Sequence, residues 1–270
     1  MKLSISNIAW SSDLDTSAAS LLHERGVRFI DIAPGRYFAE PTKATDAEIG
    51  HVAFWWKTRG FAFAGMQSLL FGTRGLNVFG TKEQRGKMLE HLKAICHIGA
   101  ILDARKLVFG SPRNRDRTGL SDAEAEALAQ DFFLQLGDIA AGEGVTICVE
   151  PNPIIYGANF LTTTQEAFNF VSSLNHPAVK IQLDTGTMLE NGESACVITK
   201  AASQIGHIHI SEPHLSPVGG HRERHAEFCS AIKEIGYTAP VTLEMFVRPP
   251  LQLLETLSKS ILFAQDIYGG

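Results

Sequence analysis

The chain has 270 residues, 44% of them hydrophobic and 20% charged, with a formal net charge of −5. This length suits one large α/β barrel or two ordinary domains, and the acidic balance argues against a general binder of nucleic acid or of anionic membranes. No basic start followed by an apolar leader and no bilayer-length apolar run is present, so a cytoplasmic location is expected. Cys96, Cys148, Cys196 and Cys229 lie far apart, which signals neither a disulfide framework nor a thiolate zinc site.

Eight short strand-like runs follow one another: Leu3–Ala9, Arg28–Ile32, Ala62–Met66, Lys106–Phe109, Thr146–Glu150, Lys180–Asp184, His207–Ser211 and Val241–Met245. Segments of helical periodicity separate them. Thr45 with Glu48, Thr81 with Gln84, Ser121 with Glu124 and Thr163 with Glu166 have capping-box spacing, which satisfies orphan N–H groups at a helix start. Gly26, Gly60, Gly144 and Gly236 each stand just before a strand, where a left-handed residue ends a helix. Strict strand–helix alternation implies parallel strands joined by crossovers. Eight such units at this length imply a single-domain α/β fold over 1–270, a closed (β/α)8 barrel. Nothing like G-x-G-x-x-G follows the first strand, so a dinucleotide-binding open sheet is not indicated.

The last four strands share a design. Successive strand residues point to opposite faces. One face carries Ile147 and Val149, Ile181 and Leu183, Ile208 and Ile210, Val241 and Leu243, all aliphatic. The other carries Cys148 and Glu150, Gln182 and Asp184, His207 and His209, Thr242 and Glu244. An unpaired buried carboxylate is costly. In a barrel the carboxyl ends of the strands converge on one mouth. Three carboxylates and an imidazole gathered there form a cage for a divalent cation. Hard oxygens plus one nitrogen favour Mn2+ first, with Mg2+ and Co2+ suited and Zn2+ open. For any one residue alone, a wetted strand-end polar group is the simpler reading; four on the same parity favour metal. Gln182 and His207, one layer deeper, are placed to orient those ligands, or else to form a hydrated polar layer.

"VEPNP" after the fifth strand, "LDTG" after the sixth, "HIHISEP" on the seventh and "LEM" on the eighth resemble the xylose isomerase-like TIM-barrel family, the sugar phosphate isomerase/epimerase superfamily. That family includes ketose 3-epimerases, hydroxypyruvate isomerase and inosose dehydratase, so the resemblance is specific for fold and metal and broad for substrate. It implies that Glu150, Asp184, His209 and Glu244 ligate the metal. It also implies that Glu150 and Glu244 are catalytic, exchanging protons with a sugar carbon from opposite faces. Three positions depart from the ketose epimerase pattern: Thr187 stands where a substrate-binding histidine is expected, Tyr156 where an acid is expected, and Leu215 where an arginine is expected.

Several residues near the mouth are candidates for substrate contact. Arg113 and Arg115 in "SPRNRDR", with Arg117 beside them and Arg36 after strand two, suit a carboxylate or phosphate. His214, His221 and His225 crowd the loop after strand seven, and Tyr156 follows strand five. Gln67 and Asn7 end strands three and one and either bind hydroxyls or cap the strands. Phe54-Trp55-Trp56 reads as helix-to-barrel packing, and an exposed tryptophan there would point to a homodimer.

The expected function is a divalent-metal-dependent isomerase or epimerase acting through an enediolate on a sugar, ketose or related carbonyl compound, with an anionic substrate slightly favoured over a neutral one. A lyase of the inosose dehydratase kind would expel a β-hydroxyl with help from His214 or His225. A non-catalytic sugar-binding barrel is the alternative outside enzymes. An apurinic endonuclease would need further ligands on strands two and three and a basic face, and neither is expected.

Overall fold

The computed structural model describes residues 1–248 and 251–269. Eight parallel strands, β1 (Leu3–Ser6), β2 (Phe29–Ile32), β3 (Ala62–Met66), β4 (Lys106–Phe109), β5 (Thr146–Val149), β6 (Val179–Asp184), β7 (Ile205–Ile210) and β8 (Val241–Leu243), pair in chain order. β8 pairs back onto β1, which closes the barrel. Between and after the strands lie α1 (Asp15–Glu24), α2 (Asp46–Lys57), α3 (Lys82–Leu102), α4 (Asp122–Gly142), α5 (Thr164–Leu174), α6 (Thr185–Glu190), α7 (Cys196–Ala201), α8 (Arg222–Glu234) and α9 (Leu253–Tyr268). The molecule is a single-domain TIM barrel.

Several strands stop earlier than the apolar runs suggest. Past Ser6, the chain Asn7–Ala9 coils into a 3-10 turn, with Ser6 Oγ accepting from the Ile8 N–H. β5 stops at Val149 because Pro151 and Pro153 have no N–H to extend a ladder. Glu150 N still donates to Phe109 O at 3.1 Å and Glu244 N to Ile210 O at 2.9 Å, so both glutamates stay tethered to the barrel rim.

The outward aliphatic face of β5 to β8 is fully buried under the helices. Phe109 meets Phe133 of α4 edge-on at 5.1 Å, and Phe133 meets Phe170 of α5 at 5.4 Å, which locks two crossover helices to the sheet. The inward face is polar and equally sealed: Ser4, Ser6, Asp31, Gln182, His207 and Thr242 are all buried. Gly65 makes room for that layer, since a Cβ there would lie 2.8 Å from Lys106 O and 3.0 Å from His207 Nε2.

Both reciprocal bonds of the capping box are present at Thr45, Thr81 and Ser121. At α5 the box is half made. Thr163 accepts from Glu166 N, but the Glu166 carboxylate turns instead to Thr162 N at 2.7 Å. Gly26, Gly60, Gly144 and Gly236 all have φ between 67° and 78°, as αL termination requires. The Met1 ammonium donates to Tyr268 O at 2.7 Å, which ties β1's approach to the end of α9. On α2, Trp56 is buried and packs on Phe61, Trp55 is half-buried beneath the Arg59 guanidinium, and Phe54 is exposed. Among the described residues, no helix is long and apolar enough to cross a membrane.

Candidate metal centre and its cavity

Glu150, Asp184, His209 and Glu244 meet where β5 to β8 end. Each offers a ligand atom within 4.8 Å of the others, and none is more than 9% exposed. Local bonds hold each one. Asp184 Oδ1 accepts from Thr187 N at 2.6 Å, capping α6, and its Oδ2 accepts from Ser211 Oγ at 2.6 Å. Glu150 Oε2 accepts from Asn152 Nδ2 at 3.2 Å, and its carboxylate lies over Gly110, where any Cβ would collide with Oε2.

Burial first, then the charges of Asp184 and Glu244, push Glu150 up to about 8. Burial and Glu244 likewise raise Asp184, against the opposing bond from Ser211. Burial disfavours a charged His209, but Glu244 and Asp31 outweigh it and raise that imidazole well above its usual value. The cluster thus carries more negative charge than its own groups can neutralise. His209 Nε2 lies 3.0 Å from Asp31 Oδ2. Its Nδ1 is buried without a well-aligned hydrogen-bond partner, although Glu244 Oε2 is 3.2 Å away and Glu150 Oε1 3.9 Å away. When Nε2 carries the proton toward Asp31, Nδ1 aims a lone pair among carboxylate oxygens. That arrangement is repulsive alone and favourable around a cation. The donor set therefore fits a divalent ion.

Asp31 was not among the candidates from sequence. It is fully buried on β2 and its Oδ2 is shared by His207 Nε2 at 2.7 Å and His209 Nε2 at 3.0 Å, while Oδ1 accepts from Thr242 Oγ1 at 3.0 Å. Burial alone would raise its pKa, but the two imidazoles hold it well below the usual carboxylate range. The signal was there: in "FIDI", Asp31 stands between two outward isoleucines, the same alternation that exposes Glu150 and Asp184. His207 reaches Asp31 rather than any of the four clustered groups, so its influence on His209 passes through that carboxylate. Gln182 does not orient them. Its Nε2 makes a long 3.5 Å contact with Leu183 O and its Oε1 has no partner.

Above the cluster opens a cavity of about 620 Å³. Of the substrate-contact candidates, Gln67, Arg113, Tyr156 and His214 line it, and Arg115 and His225 do not. In the 3-10 turn Pro112–Arg115, Arg113 stays exposed while Asn114 and Arg115 turn inward. Arg115 is driven inward and fully buried, giving Nη2 to Glu150 O at 2.5 Å and to Asn152 Oδ1. Burial lowers its pKa to about 10. Arg115 thus braces the backbone and the asparagine that hold Glu150. His225 sits on the inner face of α8, between Tyr268 OH at 2.8 Å and Glu212 Oε1 at 3.3 Å. Asn7 spends its amide on Ala33 N and Tyr37 OH, so it acts as a strand-end cap. Glu212, which sequence reasoning passed over, does line the cavity. It accepts from Gly220 N at 2.8 Å and pairs with His221 and His225, and those histidines overcome burial to keep its pKa low.

A profile described as xylose isomerase-like TIM barrel matches residues 19–265. The chain belongs to this family. It is 34% identical over 132 residues to the L-ribulose 3-epimerase of Methylomonas sp. (strain DH-1), which is 47% of this chain and 45% of that protein. It is 32% identical over 138 residues to a D-psicose 3-epimerase of Ruminiclostridium cellulolyticum, which is 50% of this chain and 45% of that protein. In each case the match spans about half the length of the curated relative. The crystal structure of D-psicose 3-epimerase with D-tagatose from Clostridium cellulolyticum H10 superposes with a TM-score of 0.83 at 19% identity. That superposition covers 99% of both chains, a likeness of fold.

Within this xylose isomerase-like barrel, the three departures noted in the sequence lie around the same cavity. Thr187, Tyr156 and Leu215 all line it. Thr187 Oγ1 is committed to Pro151 O at 3.1 Å, and Tyr156 OH accepts from His214 N at 2.8 Å.

Proposed function

We propose that this chain is a divalent-metal-dependent epimerase or isomerase of a small ketose or related sugar carbonyl compound. The observation that carries this reading is the buried cluster at the cavity floor, with His209 Nδ1 buried without a hydrogen-bond partner among three carboxylates. Its distant relation to ketose 3-epimerases supports it. Glu150, Asp184, His209 and Glu244 are the residues that would hold the ion. When bound, a divalent cation supplies Lewis-acid stabilisation of negative charge developing on a substrate oxygen; Mn2+ suits this donor set best.

The chain's own groups account for the proton movements. Glu150 and Glu244 rise from β5 and β8, three strands apart, so they approach a substrate between them from different sides. Glu150 removes the proton from the carbon next to the carbonyl, and Glu244 delivers one to the other face. Epimerisation requires this two-faced exchange. Gln67 lines the cavity with its Nε2 given to Ser6 Oγ at 2.6 Å, and its buried Oε1, which has no protein partner, is the group there that a sugar hydroxyl would satisfy on entering. Tyr156 and His214, packed edge-on at 5.2 Å, wall the opposite rim.

The test is solvent exchange. Mn2+-loaded protein incubated with a panel of ketoses in D2O should place deuterium on one carbon of the recovered sugar. Glu150→Gln and Glu244→Gln should each slow this by about 10²- to 10⁴-fold. No deuterium in any recovered sugar would defeat the reading. His214 is exposed and, among the described residues, is the histidine that lines the cavity, where it could protonate a leaving hydroxyl, so a dehydratase is the second reading. Loss of water from the substrate, seen by mass, would favour it.

A further inference from the structure

The three arginines of "SPRNRDR" have separate fates. Arg115 is buried behind Glu150, and Arg117 is spent on Asn159 O and Asp122. Arg113 lines the cavity, is exposed, and makes no ion pair or hydrogen bond among the described residues. Its backbone is nonetheless rigidly placed. The neighbouring Asn114 is buried, with its Nδ2 on Leu76 O at 2.8 Å, its O accepting from Val78 N at 2.9 Å and its Oδ1 accepting from Ser111 Oγ at 2.6 Å. Arg113 is therefore an unpaired guanidinium held at the mouth by a turn that cannot swing away.

A second arginine lines the same cavity. Arg248 follows β8 and among the described residues has the Phe246 ring at 5.6 Å as its interaction, with no carboxylate partner. In an eight-strand barrel closed in chain order, β4 and β8 are diametrically opposed. The segments that carry Arg113 and Arg248 thus leave the barrel on opposite sides, and both residues line the one cavity. The acidic side chains lining the cavity are Glu150, Asp184, Glu212 and Glu244. Three of them belong to the cluster at the floor, and Glu212 is occupied by His221 and His225. The acids of the cavity thus lie at its floor or are paired with histidines, and among the described residues neither Arg113 nor Arg248 has a carboxylate partner.

We propose that the substrate carries an anionic group, a phosphate or a carboxylate, at the end remote from its reacting carbonyl, and that Arg113 and Arg248 bind it. This builds on the sugar-handling reading of the same cavity and narrows it to acidic sugars. Guanidinium forks match the planar or tetrahedral oxygens of such groups. Holding that group at the rim leaves the carbonyl end of the substrate to reach the floor.

Calorimetric titration of the Mn2+-loaded protein with matched sets tests this: D-fructose, D-fructose 6-phosphate and D-fructuronate, the corresponding pentulose compounds, and inorganic phosphate alone. A charged member of at least one set should bind roughly tenfold or more tighter than its neutral counterpart, and less tightly as salt rises. A gain confined to the phosphates or to the carboxylates tells which group the site takes. Arg113→Gln and Arg248→Gln, both exposed positions, should bring the charged-to-neutral ratio of Kd toward one without moving the melting temperature. Equal or weaker binding of every charged member, or an advantage that survives in the double variant, overturns the proposal. Solvent deuterium exchange on the same samples separates the two ideas. Exchange with neutral sugars and no anion preference sinks this proposal alone, whereas anion preference without exchange or any other turnover sinks the epimerase reading alone.

Discussion

Asp31 shows how much one buried carboxylate can decide. Because its Oδ2 accepts a hydrogen bond from His209 Nε2, it favours the tautomer whose Nδ1 faces Glu150 and Glu244. His207 shares that oxygen and Thr242 holds the other, so three residues stand behind the orientation of the imidazole. Asp31→Asn removes the carboxylate charge to which both imidazole N–H groups donate, and the hold on that tautomer weakens with it. Mn2+ affinity should then fall by about 10- to 100-fold with the fold retained, as measured by metal titration beside circular dichroism. An unchanged Kd would show that the ring is held by packing alone.

At the scale of elements, the helices are built to start where the sequence says. Thr81 Oγ1 accepts from Gln84 N at 3.3 Å and Gln84 Oε1 accepts from Thr81 N at 2.8 Å, so the first turn of the 21-residue α3 has two of its orphan donors satisfied. Thr81→Ala removes the first of these and should cost about 1 kcal/mol. In a barrel of this size that is a drop of roughly 2–4 °C in Tm, seen by calorimetry. The turn after β4 shows the limit of such reading. Proline and alternating arginines are visible as a motif, but which arginine turns inward depends on Asn152 and the Glu150 backbone on the next strand. Arg115 and Arg113 look alike in sequence and end up on opposite sides of a wall.

For the molecule as a whole, the clustered charges make metal, proton and fold one equilibrium. Glu150 binds its proton up to about pH 8 in the folded protein against 4.5 as its reference value, and Asp184 and His209 shift the same way. Over that window the folded state holds more protons than the unfolded one, so stability must fall as pH rises. Metal-free protein should therefore lose Tm steadily between about pH 5 and 8. Saturating Mn2+, which replaces those protons, should widen the gap between loaded and free protein as pH rises. Thermal scans at several pH values, with and without chelator, check the sign. A metal-free Tm that climbs over this range would mean the carboxylates are not coupled as the geometry requires.

The order of strands, the closed barrel, the capped helices and the four residues at the ends of β5 to β8 were all legible in the chain, because strand parity and helix punctuation are local properties. The same parity marked Asp31, which was passed over because it stands alone on its strand. What needed the folded molecule were the pairings between residues distant in sequence: Asp31 with His207 and His209, Arg115 with Glu150, and His225 with Tyr268. Those depend on which side chain the curvature of the barrel brings opposite which. No local pattern encodes that, because the partners come from different strands and helices and meet only after the sheet has closed.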